Sequence, residues 1–180
     1  SDNTDPIERL FIQWGFSQVF PAKTMCAHVT TWNKNSSVKF RTDVAMMCKL
    51  GFDIKLADMS KDDETYCRTA VQNYNRLKPV VLEGDMYRLV SPYGSNHTST
   101  MYVGKDKDKA AVFAFDIHPR YAEKILPVRL QGLDADKMYR VKEINLMPGA
   151  NSSLSGNGEV FSGEFLMNVG LNLFTAQQLN

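Results

Sequence analysis

The chain opens with SDNTDPIE, and there Asp2, Asp5 and Glu8 set three carboxyl groups at what reads as the entrance to a helix. A carboxyl can protonate a leaving group and later take a proton from water, or it can itself attack carbon. Which role it plays depends on a second carboxyl placed opposite. Asp5 has a complete structural explanation as an N-cap, with Pro6 at the first helical position and Glu8 three residues on, which together make a capping box. Arg9 follows four residues after Asp5, a pairing worth about 0.3 kcal/mol on a helix surface, so Glu8 and Arg9 read as helix-surface or capping residues. Asp2 has no such structural task, although taken alone it would be an ordinary solvated aspartate.

The other candidates for chemistry are sparse. His28, in CAHVT, fits an anchoring histidine within a loop better than a catalytic one. Trp14 lies on an apolar helix stripe and reads as core, while Trp32, in a polar stretch, is free to stack on a sugar ring. Met46 and Met47 read as gap-fillers in a buried helix. Cys26, Cys48 and Cys67 match no zinc spacing, and their odd number argues against a disulfide framework. With only three, widely separated histidines, no metal site and no cofactor are expected.

Composition sets the frame for these residues. At 180 residues, 43% hydrophobic and 23% charged, the chain has the make-up of a globular protein with a packed core. A net charge of +1 without basic or acidic blocks gives no electrostatic case for a nucleic-acid or membrane partner. No apolar run approaches the ~18 residues of a membrane span. A first residue that is not methionine, already inside a loop, suggests a piece of a longer protein, so localisation stays open between cytoplasm and periplasm.

The texture changes near Gly84. Before it, apolar spacing is helical: Ile7, Leu10, Phe11 and Trp14 form one face of a helix that Gly15 stops. FSQVF (16–20) alternates like a short strand ended by Pro21. The segment 21–37 has no period and reads as loop, and TDVAMMCKLGFDIKL reads as a short buried helix closed by Gly51. Ser60 caps a longer helix with Tyr66, Cys67, Ala70, Val71, Tyr74 and Leu77 on one side, ended or kinked at Pro79. After Gly84 come MYRLV, TSTMYVG, AAVFAFDI, LPVRLQGL, KMYRVKEI and GEFLMNVGL, separated by turn signals. This spacing predicts an antiparallel sandwich.

Read in order, these stretches resemble one family. SDNTDPIERLFIQWGFSQVFPAKTMCAHVT is similar to the segment that carries the general acid/base in family 36 glycoside hydrolases, the bacterial α-galactosidases or melibiases. The likeness runs through Ser1-Asp2, Ile7-Glu8-Arg9-Leu10, Ile12-Gln13-Trp14-Gly15, Phe20-Pro21 and Cys26-Ala27-His28-Val29. It continues through FRTDVAMMCKLGFDI, MYRLVSPYGSN and VRLQGLD to FSGEFLMNVGL. Trp14 and Phe20 stand where the family has tyrosine, and Cys26 where it has glycine.

The resemblance implies an α/β plus all-β chain. Residues 1–84 would be the last strand–helix units of a (β/α)8 catalytic barrel, and residues 85–180 a C-terminal antiparallel β-sandwich. It implies Asp2 as the general acid/base of a retaining, homo-oligomeric enzyme acting on galactose-containing oligosaccharides. The family's nucleophile lies in a Lys-Trp-Asp motif that is absent here, as are its Asp-Asp pair and Cys-Ser-Gly-Gly loop. The chain alone should therefore be inactive. Two other readings remain open: a non-catalytic carbohydrate-associated β-sandwich module, and an α-glycosidase of different specificity, such as one cleaving an α-N-acetylgalactosaminide.

Overall fold

A computed structural model describes residues 4–30 and 36–174. Its contacts divide the chain into two compact units, residues 1–83 with 144–151, and residues 84–143 with 152–180.

The first unit begins with α1 (Pro6–Phe16), which starts where its cap dictates. Asp5 Oδ1 accepts hydrogen bonds from the backbone N–H groups of Ile7 (2.8 Å) and Glu8 (3.3 Å), with Pro6 at the first helical position. FSQVF is not a strand: Phe16 is the last helical residue, and the N–H groups of Gln18, Val19 and Phe20 turn back onto the carbonyls of Gly15 and Phe16. The apparent alternation was the end of the helix and a tight turn. The most buried positions of α1 are Pro6, Arg9, Leu10 and Gln13. Ile7, Phe11 and Trp14 are only half-buried.

Two strands lie where none was expected. Within 21–37, β1 (Cys26–Thr30) forms, and it pairs in parallel with β2 (Lys49–Asp53). The helix expected over 42–56 is α2 (Val38–Ala45), capped by Ser37 through the Phe40 N–H at 3.1 Å, and Gly51 lies inside β2 rather than closing a helix. Parallel strands joined through a helix are covered on at least one face and give little alternation to read. Met46 and Met47 are buried, just past the end of α2. Ser60 does cap α3 (Lys61–Glu83), accepting from the Asp63 N–H at 3.1 Å. Three acidic residues in its first turn suit the positive end of the helix dipole. Pro79 lies within α3, which continues to Glu83. Tyr66, Ala70 and Tyr74 form its buried side, while Val71 is exposed.

The segment 144–151 belongs to this first unit through Asn145. That residue is buried with φ of 58°; its Nδ2 donates to Asp43 Oδ1 (2.8 Å) and its Oδ1 accepts from Asn73 Nδ2 (2.7 Å). Met147 packs on Val38, Tyr66 and Ala70.

The second unit is antiparallel, as the alternating runs predict, but it is not a six-stranded sandwich. β3 (Asp85–Val90), β4 (His97–Val103) and β5 (Ala110–Asp116) form one sheet in that order. β6 (Met138–Arg140) and β7 (Val160–Ser162) form a second. LPVRLQGL makes only the isolated bridge Val128↔Leu171, and most of KMYRVKEI is irregular. GEFLMN is helix α4 (Gly163–Asn168), with Ser162 Oγ accepting from the Phe165 N–H at 3.1 Å. Met101, Val103, Leu130, Leu133, Leu166 and Leu171 form one buried cluster against which Tyr87, Val112, Tyr139 and Phe161 pack. The two sheets, the irregular 128–133 segment and α4 thus share a core. The start of α4 approaches a neighbouring segment so closely that a Cβ at Gly163 would lie 1.9 Å from the Asp134 carbonyl oxygen.

Candidate functional site

Side chains alternate across a strand, so the β1–β2 pair has two unlike faces. Ala27 and Val29 are each 1% exposed. The other face carries Cys26, His28 and Thr30, registered against Lys49, Gly51 and Asp53. His28 sits directly opposite Gly51, and its ring occupies the space a side chain there would fill. A Cβ on residue 51 would come within 2.3 Å of His28 Cδ2. Glycine at 51 is therefore what leaves room for the imidazole against the neighbouring strand.

Around that imidazole, Thr4, Pro6, Arg9, Thr30 and Arg41 line a small pocket. Arg9 reaches it from α1 and Arg41 from α2. Arg41 Nη1 donates to the Thr30 carbonyl at 2.5 Å, while its Nε is buried without a hydrogen-bond partner among the described residues. Arg9 is 7% exposed, which corrects the reading of it as a surface residue. Two guanidinium groups, both permanently charged, thus share a lining that contains no carboxylate among the described residues. Such a pocket attracts and orients anionic oxygen.

Asp2 lies outside the described residues, two positions before Thr4, and so does Trp32. Asp5 is fully occupied as the N-cap of α1, Glu8 is exposed, and Trp14 is half-buried. His28 is not in a loop but on β1, at the pocket. Arg41 was missed, because it belongs to a short helix without a patterned polar face. The signal for His28 was Gly51, legible only once the parallel register pairs the two.

The cysteines are free thiols. Burial pushes the Cys48 thiol up to about 12, against the opposing field of Arg9, so it is an inert core group.

Two further polar clusters are structural. Asp43 accepts from Lys39 Nζ (2.7 Å), Tyr66 Oη (3.2 Å) and Asn145 Nδ2 (2.8 Å), tying α2, α3 and 144–151 together. Burial pushes its carboxyl above the ordinary range, with Lys39 and these hydrogen bonds opposing. In the second unit, His97 is 5% exposed, with Nδ1 2.6 Å from Asp116 Oδ1 and Nε2 3.2 Å from Glu123 Oε2. Asn96 Nδ2 donates to Glu123 Oε1 at 3.0 Å, and the ring of Phe174 stacks on His97 at 4.6 Å. This clasp fastens the segment at Glu123 to the start of β4 and the end of β5.

Two family models match the chain in series, Melibiase over residues 1–84 and the glycosyl hydrolase family 36 C-terminal domain over residues 97–179. The chain belongs to glycoside hydrolase family 36. Alpha-galactosidase 2 from Hypocrea jecorina is 35% identical to it over 177 residues, which cover 95% of this chain and 22% of that protein. The crystal structure of the family 36 α-galactosidase AgaB from Geobacillus stearothermophilus superimposes on 99% of this chain and 23% of its own, with a TM-score of 0.84 and 30% identity. A variant of AgaA from the same organism, in complex with raffinose, matches 99% of this chain and 24% of its own, with a TM-score of 0.84 and 28% identity. The chain spans about a fifth of the length of the relatives it matches. The family 36 relationship is the one the sequence motifs implied.

Proposed function

We propose that this family 36 chain is part of a retaining α-galactosidase that removes terminal α-linked galactose from oligosaccharides of the raffinose type, and that Asp2 is its general acid/base. The observation that carries the reading is the match to α-galactosidase structures over 99% of the chain at a TM-score of 0.84. On this reading the order α1–β1–α2–β2–α3 corresponds to the closing units of a (β/α)8 barrel. Residues 1–84 belong to the catalytic domain and those from 85 onward to the C-terminal domain, apart from 144–151, which pack in the first unit. Barrel active sites lie at the C-terminal ends of the strands. The polar pocket, which takes in Thr30 at the end of β1, fits that position.

Retaining hydrolysis takes two carboxyl groups about 5–5.5 Å apart. One attacks the anomeric carbon and expels the leaving oxygen, which the other protonates. In the second step that same group, now a carboxylate, draws the proton from water as the water breaks the glycosyl–enzyme bond. Asp2 takes the protonating role. The attacking carboxylate's Lys-Trp-Asp motif does not occur in these 180 residues, so the chain by itself should not turn over an aryl α-galactoside.

The test is Asp2→Asn in the full-length enzyme. An aryl galactoside with a good leaving group should still form the β-linked glycosyl-enzyme, which then persists for want of a base. Azide needs no base, so it should restore turnover and release an α-galactosyl azide. Rescue in Asp5→Asn and not in Asp2→Asn would show that Asp2 is the wrong carboxylate.

A further inference from the structure

We infer that Asn145 is a positioning residue for the reaction, holding α2 so that Arg41 fixes the C-terminal end of β1. This rests on the reading of the chain as part of an α-galactosidase barrel, whose site lies at that end of the strands. Two boundaries disagree over the segment that carries Asn145. Residues 144–151 fall inside the match to the family 36 C-terminal domain, 97–179, yet they pack in the first unit with residues 1–83. The chain leaves the second unit after Glu143, packs in the first, and returns to the second at Ser152.

The excursion is built around one side chain. Asn145 is 5% exposed, and asparagine tolerates its φ of 58° better than most residues do. Its Nδ2 donates to Asp43 Oδ1 (2.8 Å) and its Oδ1 accepts from Asn73 Nδ2 (2.7 Å), so it joins α2 to α3. Met147 adds an apolar contact to Val38, at the start of α2, and to Tyr66 and Ala70 of α3. At 3.6 residues per turn, Arg41 and Asp43 point about 200° apart, to opposite sides of α2. One side is therefore bound to Asn145. The other reaches Thr30, the last residue of β1, whose carbonyl accepts from Arg41 Nη1 at 2.5 Å. Thr30 is itself buried, so this bond is sheltered from water. A helix of 8 residues has little stability of its own and takes its orientation from such contacts. Asn145 thus acts on the strand end through α2, without touching it.

The experiment is a double-mutant cycle in the full-length enzyme, read as kcat/KM for an aryl α-galactoside at a temperature where circular dichroism shows each variant folded. Asn145→Ala and Arg41→Ala should each lower kcat/KM by about 10–100-fold, the scale of a misplacement of about 1 Å caused far from the chemistry. The double variant should match Arg41→Ala alone within about twofold, because both substitutions act on one element. Losses that multiply would overturn the proposal, since Asn145 would then support the fold without acting through Arg41. An unchanged kcat/KM in Asn145→Ala would overturn it as well. If Asn145→Ala does not fold, an exchange of the two partners decides. Asn145→Asp sets two carboxylates together and should lower kcat/KM, and adding Asp43→Asn restores a donor and an acceptor and should recover most of the loss. No recovery counts against Asn145. The unmodified full-length enzyme separates this from the function it rests on. Failure of that enzyme to hydrolyse the aryl α-galactoside removes the α-galactosidase reading and the positioning role together, whereas an active parent with multiplying losses removes the positioning role alone.

Discussion

In the antiparallel unit, six buried apolar side chains from β4, α4 and the irregular 128–133 and 171 segments meet in one cluster, ringed by aromatic and aliphatic neighbours. In the α/β unit apolar burial is as extensive, with Leu10, Val29, Val44, Met46, Tyr66 and Val81 among the buried side chains, but it also takes in the charged Arg9 and the amides Gln13 and Asn145. The Gln13 amide is buried with no hydrogen-bond partner among the described residues, as is Arg41 Nε. An unpaired buried amide costs about 1–3 kcal/mol. Both units thus pack apolar interiors, and the α/β unit in addition buries a guanidinium and two amides, the guanidinium lining the pocket with His28.

The largest effect should come from the packed side of this comparison. Leu166 is 1% exposed at the centre of the antiparallel core. Leu166→Ala should cost about 2–5 kcal/mol, from lost transfer energy plus the cavity left behind. Denaturant titration followed by hydrogen exchange would check it. The loss of protection should concentrate in β3–β5 and α4, and protection lost equally in β1 and β2 would erase the distinction between the units.

Next comes the polar side. Asn145→Ala removes the acceptor of Asn73, a donor to Asp43 and a residue type that tolerates φ of 58°. The expected cost is about 2–3 kcal/mol, most of it from polar groups left unpaired. Asn145→Gly restores only the backbone freedom and should recover less than half of it. A full recovery by glycine would mean that the side-chain network contributes nothing.

What could be read ahead of the structure follows the same division. α1 and α3 announce themselves through caps, Asp5-Pro6 and Ser60, because capping is local chemistry. β3, β4 and β5 follow from period-two runs. β1 and β2 escaped because five-residue parallel strands carry no alternation that separates them from loop or buried helix. α4 was mistaken for a strand because six residues are too few to set one period against another. Its cap, Ser162 followed by Glu164 in the first turn, was the better signal. At the site, the family motifs pointed to Asp2, while the pocket lined by Arg9, His28 and Arg41 was not legible from them. Arg9 looked like the surface partner of Asp5, and its burial depends on β1 and α2 coming alongside.

The clasp in the antiparallel unit gives a pH-dependent test. The Glu123 carboxyl is held below the ordinary carboxylate value of 4.5, chiefly by the hydrogen bond from Asn96, with burial opposing and His97 adding to the effect. A carboxyl depressed by folding contributes stability above its unfolded value, and that contribution disappears as pH falls through the folded value. Glu123→Gln should therefore have a lower Tm than the parent protein at pH 7, and the two curves should converge below about pH 4.5. A gap that stays constant down to pH 3 would mean that the carboxylate charge is not what fastens the segment to His97.

The smallest effect should come from the surface of the α/β unit. Lys23 Nζ lies 3.1 Å from Glu83 Oε2, with the two side chains 51% and 65% exposed. The contact joins the turn before β1 to the last residue of α3, and drawn on paper it looks like a staple. In water, however, two long exposed side chains lose rotamer freedom to hold one geometry, and salt screens what they gain. Lys23→Ala should change stability by no more than about 0.5 kcal/mol, and that difference should vanish at 1 M salt, where the screening length is about 3 Å. A loss above about 1 kcal/mol that survives high salt would show that the pair is shielded in the intact protein, and that this end of α3 is an interface rather than an open surface.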